Sequence, residues 1–112
     1  MRPETASNAA PLAPLAALAA VGPVLTAGRV ADAILAAIQK ENVGVQVTDR
    51  GSYLRVAVPG RCQVSRAAIE AALNQSQPFL LPGDLERVMP SFSGRFQVSE
   101  DAAAWVAHVR GS

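Results

Sequence analysis

Val43-Gly-Val-Gln-Val-Thr48, the turn Asp49-Arg50-Gly51-Ser52 and Tyr53-Leu-Arg-Val-Ala-Val58 decide the fold. Val43, Val45 and Val47 alternate with Gly44, Gln46 and Thr48, and Leu54, Val56 and Val58 alternate with Tyr53, Arg55 and Ala57. A period of two is that of a strand with one apolar and one wet face, and four turn-forming residues between two such runs predict a hairpin. Pro59-Gly60 closes its second arm.

Upstream, the period changes. Val30, Ala33, Ile34, Ala37 and Ile38 fall at i, i+3, i+4, i+7 and i+8, the stripe of a helix buried on one side. Asp32 near its start and Lys40 near its end suit the helix dipole, and Asn42 and Gly44 can stop it. Before it, Val21 to Thr26 reads as a short strand whose Pro23 suits an edge or a first turn. Residues 21–59 therefore form a β-α-β-β unit.

Residues 60–110 repeat that order. Arg61 to Val64 reads as a strand, and Ser65 caps a helix with Ile69, Ala72 and Leu73 on one face. Pro78 and Pro82 punctuate the link, with one helical turn between Gly83 and Met89. Phe92, Gly94, Phe96 and Val98 alternate as one half-buried strand, and Ala103 to Val109 returns as the last. The similarity between units is one of architecture, with no residue-level repeat. The expected fold is α+β, two consecutive β-α-β-β units packed into one compact domain.

Residues 1–20 are different in kind. They are Ala-rich, broken by Pro3, Pro11 and Pro14, and almost uncharged. Leu12, Leu15 and Leu18 are apolar, as in an export signal, but Glu4 offsets Arg2 and two prolines interrupt the apolar stretch, which argues against one. The composition predicts a flexible tail lacking the large side chains that offset chain entropy.

Composition excludes several functions. The chain has 112 residues, half of them hydrophobic, with a net charge of +1. That is enough for one core. No basic cluster suggests nucleic acid, and no apolar run approaches the roughly 18 residues of a membrane span. The single Cys62 rules out an internal disulfide and suits a reducing cytoplasm. His108, the only histidine, has no triad partner in view. Asp32, Glu41, Asp49, Glu70, Asp84 and Glu86 are scattered singly, with only Glu100-Asp101 adjacent, so no ligand set for a metal assembles. Phosphate-binding glycine loops are absent. No cofactor site and no active site can be built, which leaves a binding or regulatory module.

Three blocks then resemble one family. Val21-Gly-Pro-Val-Leu-Thr-Ala-Gly28, Asp49-Arg-Gly-Ser-Tyr-Leu-Arg-Val56, and Pro78-Phe79 with Asp84-Leu-Glu86 and Met89-Pro-Ser-Phe-Ser-Gly-Arg95 are similar, in order and spacing, to the effector proteins of bacterial soluble diiron monooxygenases. The likeness spans about residues 21–109 and is greatest to the branch serving toluene, phenol and alkene monooxygenases. It implies a cofactor-free, non-catalytic protein, monomeric when free, that docks on a diiron hydroxylase. There it couples O2 activation to oxidation of a small aromatic or alkene hydrocarbon. A reductase and, in many systems, a Rieske ferredoxin supply the electrons. Gly22, Pro23, Arg50, Tyr53, Arg55, Ser91, Phe92, Gly94 and Arg95 are the candidate partner-binding residues. Two other classes stay open: a small-molecule-sensing β-α-β-β domain, and an enzyme subunit whose site is completed across an oligomer.

The tail reading generates a test. Removing residues 1–19 should change stability by no more than about 0.5 kcal/mol, as expected of unpacked chain. Thermal melts of the full-length and truncated proteins check it, and a large drop in Tm would assign the segment to the core.

Overall fold

The structure, a computed structural model, describes residues 19–108. The elements run β1 (Ala20–Thr26), α1 (Arg29–Glu41), β2 (Gln46–Asp49), β3 (Tyr53–Pro59), β4 (Arg61–Ser65), α2 (Arg66–Leu73), α3 (Gly83–Glu86), β5 (Ser91–Ser93), β6 (Arg95–Val98) and β7 (Ala102–Val106). This is the mixed α+β architecture expected. The residues read as a flexible tail lie, save Ala19 and Ala20, outside the described residues.

Two antiparallel sheets form, ordered β2-β3-β1-β5 and β4-β7-β6. They are joined end to end. β3 continues into β4 through Gly60, and β5 continues into β6 through Gly94. Both glycines hold positive φ, 79° and 96°, where a Cβ is strained. Between these two bent strands, the middle position passes from β1 to β7. Gly60 records the handover: its N–H donates to Ala19 O and its carbonyl accepts from Ala107 N.

Alternation then sorts the side chains. Leu54, Val56, Val58, Cys62 and Val64 point inward and are buried, as do Val21, Leu25, Ala103 and Trp105. The helices cover this face, α1 with Ala33, Ile34, Ala37 and Ile38, and α2 with Ile69 and Leu73. Together they make one continuous apolar core. Phe92, Phe96 and Trp105 lead in series from the exposed edge of β5 into it, at centroid distances of 5.5 and 5.4 Å. The Trp105 indole N–H is buried without an acceptor.

Polar groups clamp the helices. The Glu41 carboxylate, ending α1, accepts from both Ser65 N and Ser65 Oγ at 2.7 Å. Ser65 Oγ in turn accepts from Ala68 N, so the predicted cap of α2 is in place. Asn42 mimics a strand residue: its amide donates to Gln63 O and its carbonyl accepts from Gln63 N. At the other end, the Arg29 guanidinium donates to Leu73 O and Gln75 Oε1. The helices are therefore antiparallel and fastened at both ends.

Five expectations need correction. The first arm of the hairpin begins at Gln46 rather than Val43, and all four of its residues are exposed. Asn42 is held by β4 and Gly44 turns the chain (φ 76°), which leaves Val43 91% exposed, and β2 is an edge strand paired only with β3. Pro23 sits in an interior strand, not at an edge. It is tolerated because the β1–β3 ladder pairs Val21 with Val58 and then Val24 with Arg55, skipping the positions where an N–H is missing. The single strand read from Phe92 to Val98 is two, broken at Gly94 and shared between the sheets. The last strand ends at Val106; His108 follows it, and Val109 lies outside the described residues. Ala72 is also exposed, beside the buried Ile69 and Leu73 of α2.

Gly94 is the test of this arrangement. A Cβ there would lie 2.7 Å from Val21 Cγ1 and 3.0 Å from Val106 O, at a backbone conformation that disfavours side chains. Gly94→Ala should cost about 2–4 kcal/mol from overpacking and backbone strain combined. At Gly51, where φ is also positive but no atom lies within 4 Å, the same change should cost about 1–2 kcal/mol. Denaturant melts of both variants check the difference.

Candidate docking face

The side of the sheets opposite the helices carries the candidate residues. Along the first bent strand, Tyr53, Arg55, Ala57, Pro59, Arg61, Gln63 and Ser65 are all odd-numbered, so the outward parity survives the bend at Gly60. Ser91, Ser93, Arg95 and Gln97 do the same through Gly94. The two sheets thus present one continuous outward face.

Its rows follow from the register. Over the first sheet, Thr48, Arg55, Val24 and Ser91 lie side by side. Tyr53 lies beside Thr26, and Arg50 adjoins it through the bond from Arg50 N to Tyr53 O. Tyr53 is 40% exposed. Of the candidate residues, Arg50, Tyr53, Arg55, Ser91 and Arg95 therefore share this face. An exposed Tyr among arginines is the residue mix enriched where binding energy concentrates.

The other four are placed differently. Gly22 and Pro23 are buried; a Cβ at Gly22 would lie 2.4 Å from Val56 O, so close strand approach explains this glycine. Gly94 is the corner between sheets. Phe92 points to the inner side at the free edge of β5, 44% exposed, with its ring against Phe96.

Sequence reasoning missed the second half of the face. Over the second sheet, Arg61, Val106 and Arg95 form one row, and Gln63, Ala104 and Gln97 the next. The signal was available: Arg61-Cys-Gln-Val64 and Arg95-Phe-Gln-Val98 repeat an Arg-x-Gln-Val pattern. It goes unnoticed because β4 and β6 are separated by two helices and meet only across β7.

Catalytic chemistry is not assembled here. Among the described residues, no three His, Cys, Asp or Glu side chains group so as to hold a metal ion. Several carboxylates are engaged in local structure: Glu41 at Ser65, Glu70 at Phe79 N, and Asp84 at Leu80 N. Among the described residues, no helix is long and apolar enough to cross a membrane.

A small α+β domain with one face packed and the other open and arginine-rich is a contact module. The MmoB/DmpM family profile matches residues 19–106, and the chain belongs to that family. The effector subunit of the alkene monooxygenase system of Xanthobacter autotrophicus (strain ATCC BAA-1158 / Py2) is 41% identical over 87 residues, covering 76% of this chain and 83% of that one. In fold, the chain is similar to one in the structure of the phenol hydroxylase–regulatory protein complex. The TM-score is 0.68 at 12% identity, covering 79% of this chain and 97% of that chain. The resemblance drawn from the three sequence blocks is borne out.

Cys62 supplies a chemical check. Burial pushes its thiol from an ordinary 9.0 up to about 12. The thiolate is the reactive form, so a thiol reagent should modify the native protein only as fast as the fold opens, and promptly in denaturant. Because the folded pKa lies above the unfolded one, the stability this group contributes is intact below about pH 9 and is lost as pH rises toward 12. Reagent kinetics and alkaline melts measure both.

Proposed function

We propose that this chain is the non-catalytic effector component of a multicomponent monooxygenase. The 41% identity to an alkene monooxygenase effector subunit, over nearly the whole described domain, carries the reading. The open outward face supplies its physical means. In this reading the partner is a diiron hydroxylase. The chain docks as a monomer in the cytoplasm, binds no cofactor, and couples O2 activation to oxidation of a small alkene or aromatic hydrocarbon. A reductase and a Rieske ferredoxin deliver the electrons to the hydroxylase and not to this chain.

Regulation without chemistry requires differential binding. The effector changes turnover only to the extent that it binds one hydroxylase state better than another. The outward face of the first sheet suits the task because its charged residues lie outside the core, so contacts there leave the fold unchanged.

Reconstitution tests the reading. Added to hydroxylase and electron-transfer partners, the chain should raise product formed per reductant consumed, with a plateau near one effector per active site. Turnover indifferent to its omission would sink the proposal. Arg55→Ala and Tyr53→Ala should melt as the wild type does, since an exposed charge rarely contributes more than about 1 kcal/mol. Each should weaken hydroxylase binding by roughly 1–3 kcal/mol. Leu54→Ala, which empties a core position, should instead destabilise the fold by roughly 2–5 kcal/mol.

A further inference from the structure

The outward face carries charge of one sign. Its strand positions hold three side chains that are charged at neutral pH: Arg55 on β3, Arg61 on β4 and Arg95 on β6, all exposed. Among the described residues, no Asp or Glu occupies an outward strand position. Asp49 ends β2, but it pairs with Leu54 in an inward row, and its carboxylate accepts from Gly51 N at 2.8 Å. The chain as a whole has a net charge of only +1, so its carboxylates have been sorted onto the helices and turns.

The acidic groups that come nearest are spoken for or distant. Glu41 meets the far end of β4, where Ser65 N and Oγ take up its carboxylate. Asp101, in the turn beyond β6, lies 4.0 Å from Arg66. Both belong to the Ser65–Ala102 end of the second sheet. That end is four residues, about 13 Å, from the Arg61–Val106–Arg95 row, more than the roughly 8 Å Debye length at physiological salt. Among the described residues, Arg55, Arg61 and Arg95 pair with no carboxylate, and Arg61 Nε donates to Gln63 Oε1.

We propose that this face docks on a carboxylate-rich patch of the hydroxylase surface. Arg61 and Arg95 take its carboxylates over the second sheet, and Arg55 does so over the first. The inference rests on the effector reading given above and adds the chemistry of the partner's surface.

The kind of cation selects a protein surface. The chain's single lysine, Lys40, sits in the last turn of α1, on the helix side. Arginine's planar fork meets a carboxylate with two hydrogen bonds and sheds water more readily than an ammonium, and protein interfaces are enriched in Arg and depleted in Lys. A bound nucleic-acid strand would want several aromatic platforms. Among the described residues, Tyr53 is the only aromatic at an outward strand position, while Phe96 and Trp105 turn inward.

The spacing fits one interface. Arg61 and Arg95 stand two strand spacings apart, about 10 Å, with Val106 between them. Ser91 shares the row of Arg55, and Arg95 lies four residues further along that bent strand, about 13 Å. All three guanidiniums therefore fall inside the roughly 800 Å² that a partner contributes to a standard interface. Exposed charges of this kind act chiefly on the rate of encounter, and salt screens them.

The test is a titration of hydroxylase with the intact chain across a salt series, with association rates measured alongside. Wild-type Kd should rise with salt. The double reversal Arg61→Glu/Arg95→Glu should raise Kd roughly tenfold or more, mainly through slower association, and flatten its dependence on salt. Lys40→Glu/Arg87→Glu makes the same change in net charge away from this face and should leave Kd within about twofold of wild type. Melting curves show that each variant is folded; if the double reversal melts early, Arg61→Gln/Arg95→Gln decides in its place by the same readings. Equal effects of the two double reversals, or wild-type affinity for the face reversal with Arg55→Ala weakened, overturn the acidic patch and leave the effector reading standing. A wild-type chain that does not bind hydroxylase overturns both. Binding to vesicles containing phosphatidylserine that the face reversal abolishes, with hydroxylase affinity unaltered, assigns the arginines to a lipid surface and overturns the proposal.

Discussion

The whole arrangement hangs on two corners. Gly60 and Gly94 let two strands bend at the same level, so that β1 and β7 can share one middle position without overlapping. The space at Gly94 is set by Val21 and by the Val106 carbonyl, which belong to the two strands that meet there. A bent strand keeps its parity only if the corner residue takes its own place in the alternation, here an inward one. Each glycine does this. The core therefore stays on one side along the full length of both strands, and the outward face stays continuous.

The helices then have a single surface to cover. α1 and α2 cross it in opposite directions, and the groups at their ends do more than cap. Glu41 links the end of one helix to the start of the next, and Asn42 takes the place of a strand neighbour beside Gln63. These bonds tie the first unit to the second where the core contacts alone would permit sliding. Hydrogen bonds to a carboxylate are among the stronger kind, and those made by Glu41 are short. Such fastening also leaves the opposite face free of structural duty, which is what a binding surface requires.

Much of this was legible in the sequence, and the failures are physical. The period of α1, the Ser65 cap and the Leu54-Val56-Val58 face are local patterns, and local patterns carry their own instructions. The three resembling blocks located the family because they sit at the strand rows and the turn. Read locally, the missing N–H of Pro23 suits an edge or a first turn, whereas the gap that tolerates it is a property of the neighbouring strand. Phe92 to Val98 looked like one strand because parity is unbroken through Gly94; only the change of partner, from β1 to β7, divides it. Arg50, Tyr53, Arg55 and Arg95 could be placed on a wet face by alternation. That Arg61, Gln63 and Gln97 join them depends on which strands flank β7, and strand order is not written in any one segment.

The handover at Gly60 has a topological consequence. Ala19 and Ala107 bond to the same residue, one to its N–H and one through its carbonyl, so the two ends of the folded core lie side by side. A short linker could join them without crossing any element. The chain could then be reopened at Val43-Gly44, where the backbone is exposed and between elements. The strand order would be untouched. In a molecule so permuted, the first unit would be interrupted while every sheet pairing remained available, which separates the order of synthesis from the order of assembly.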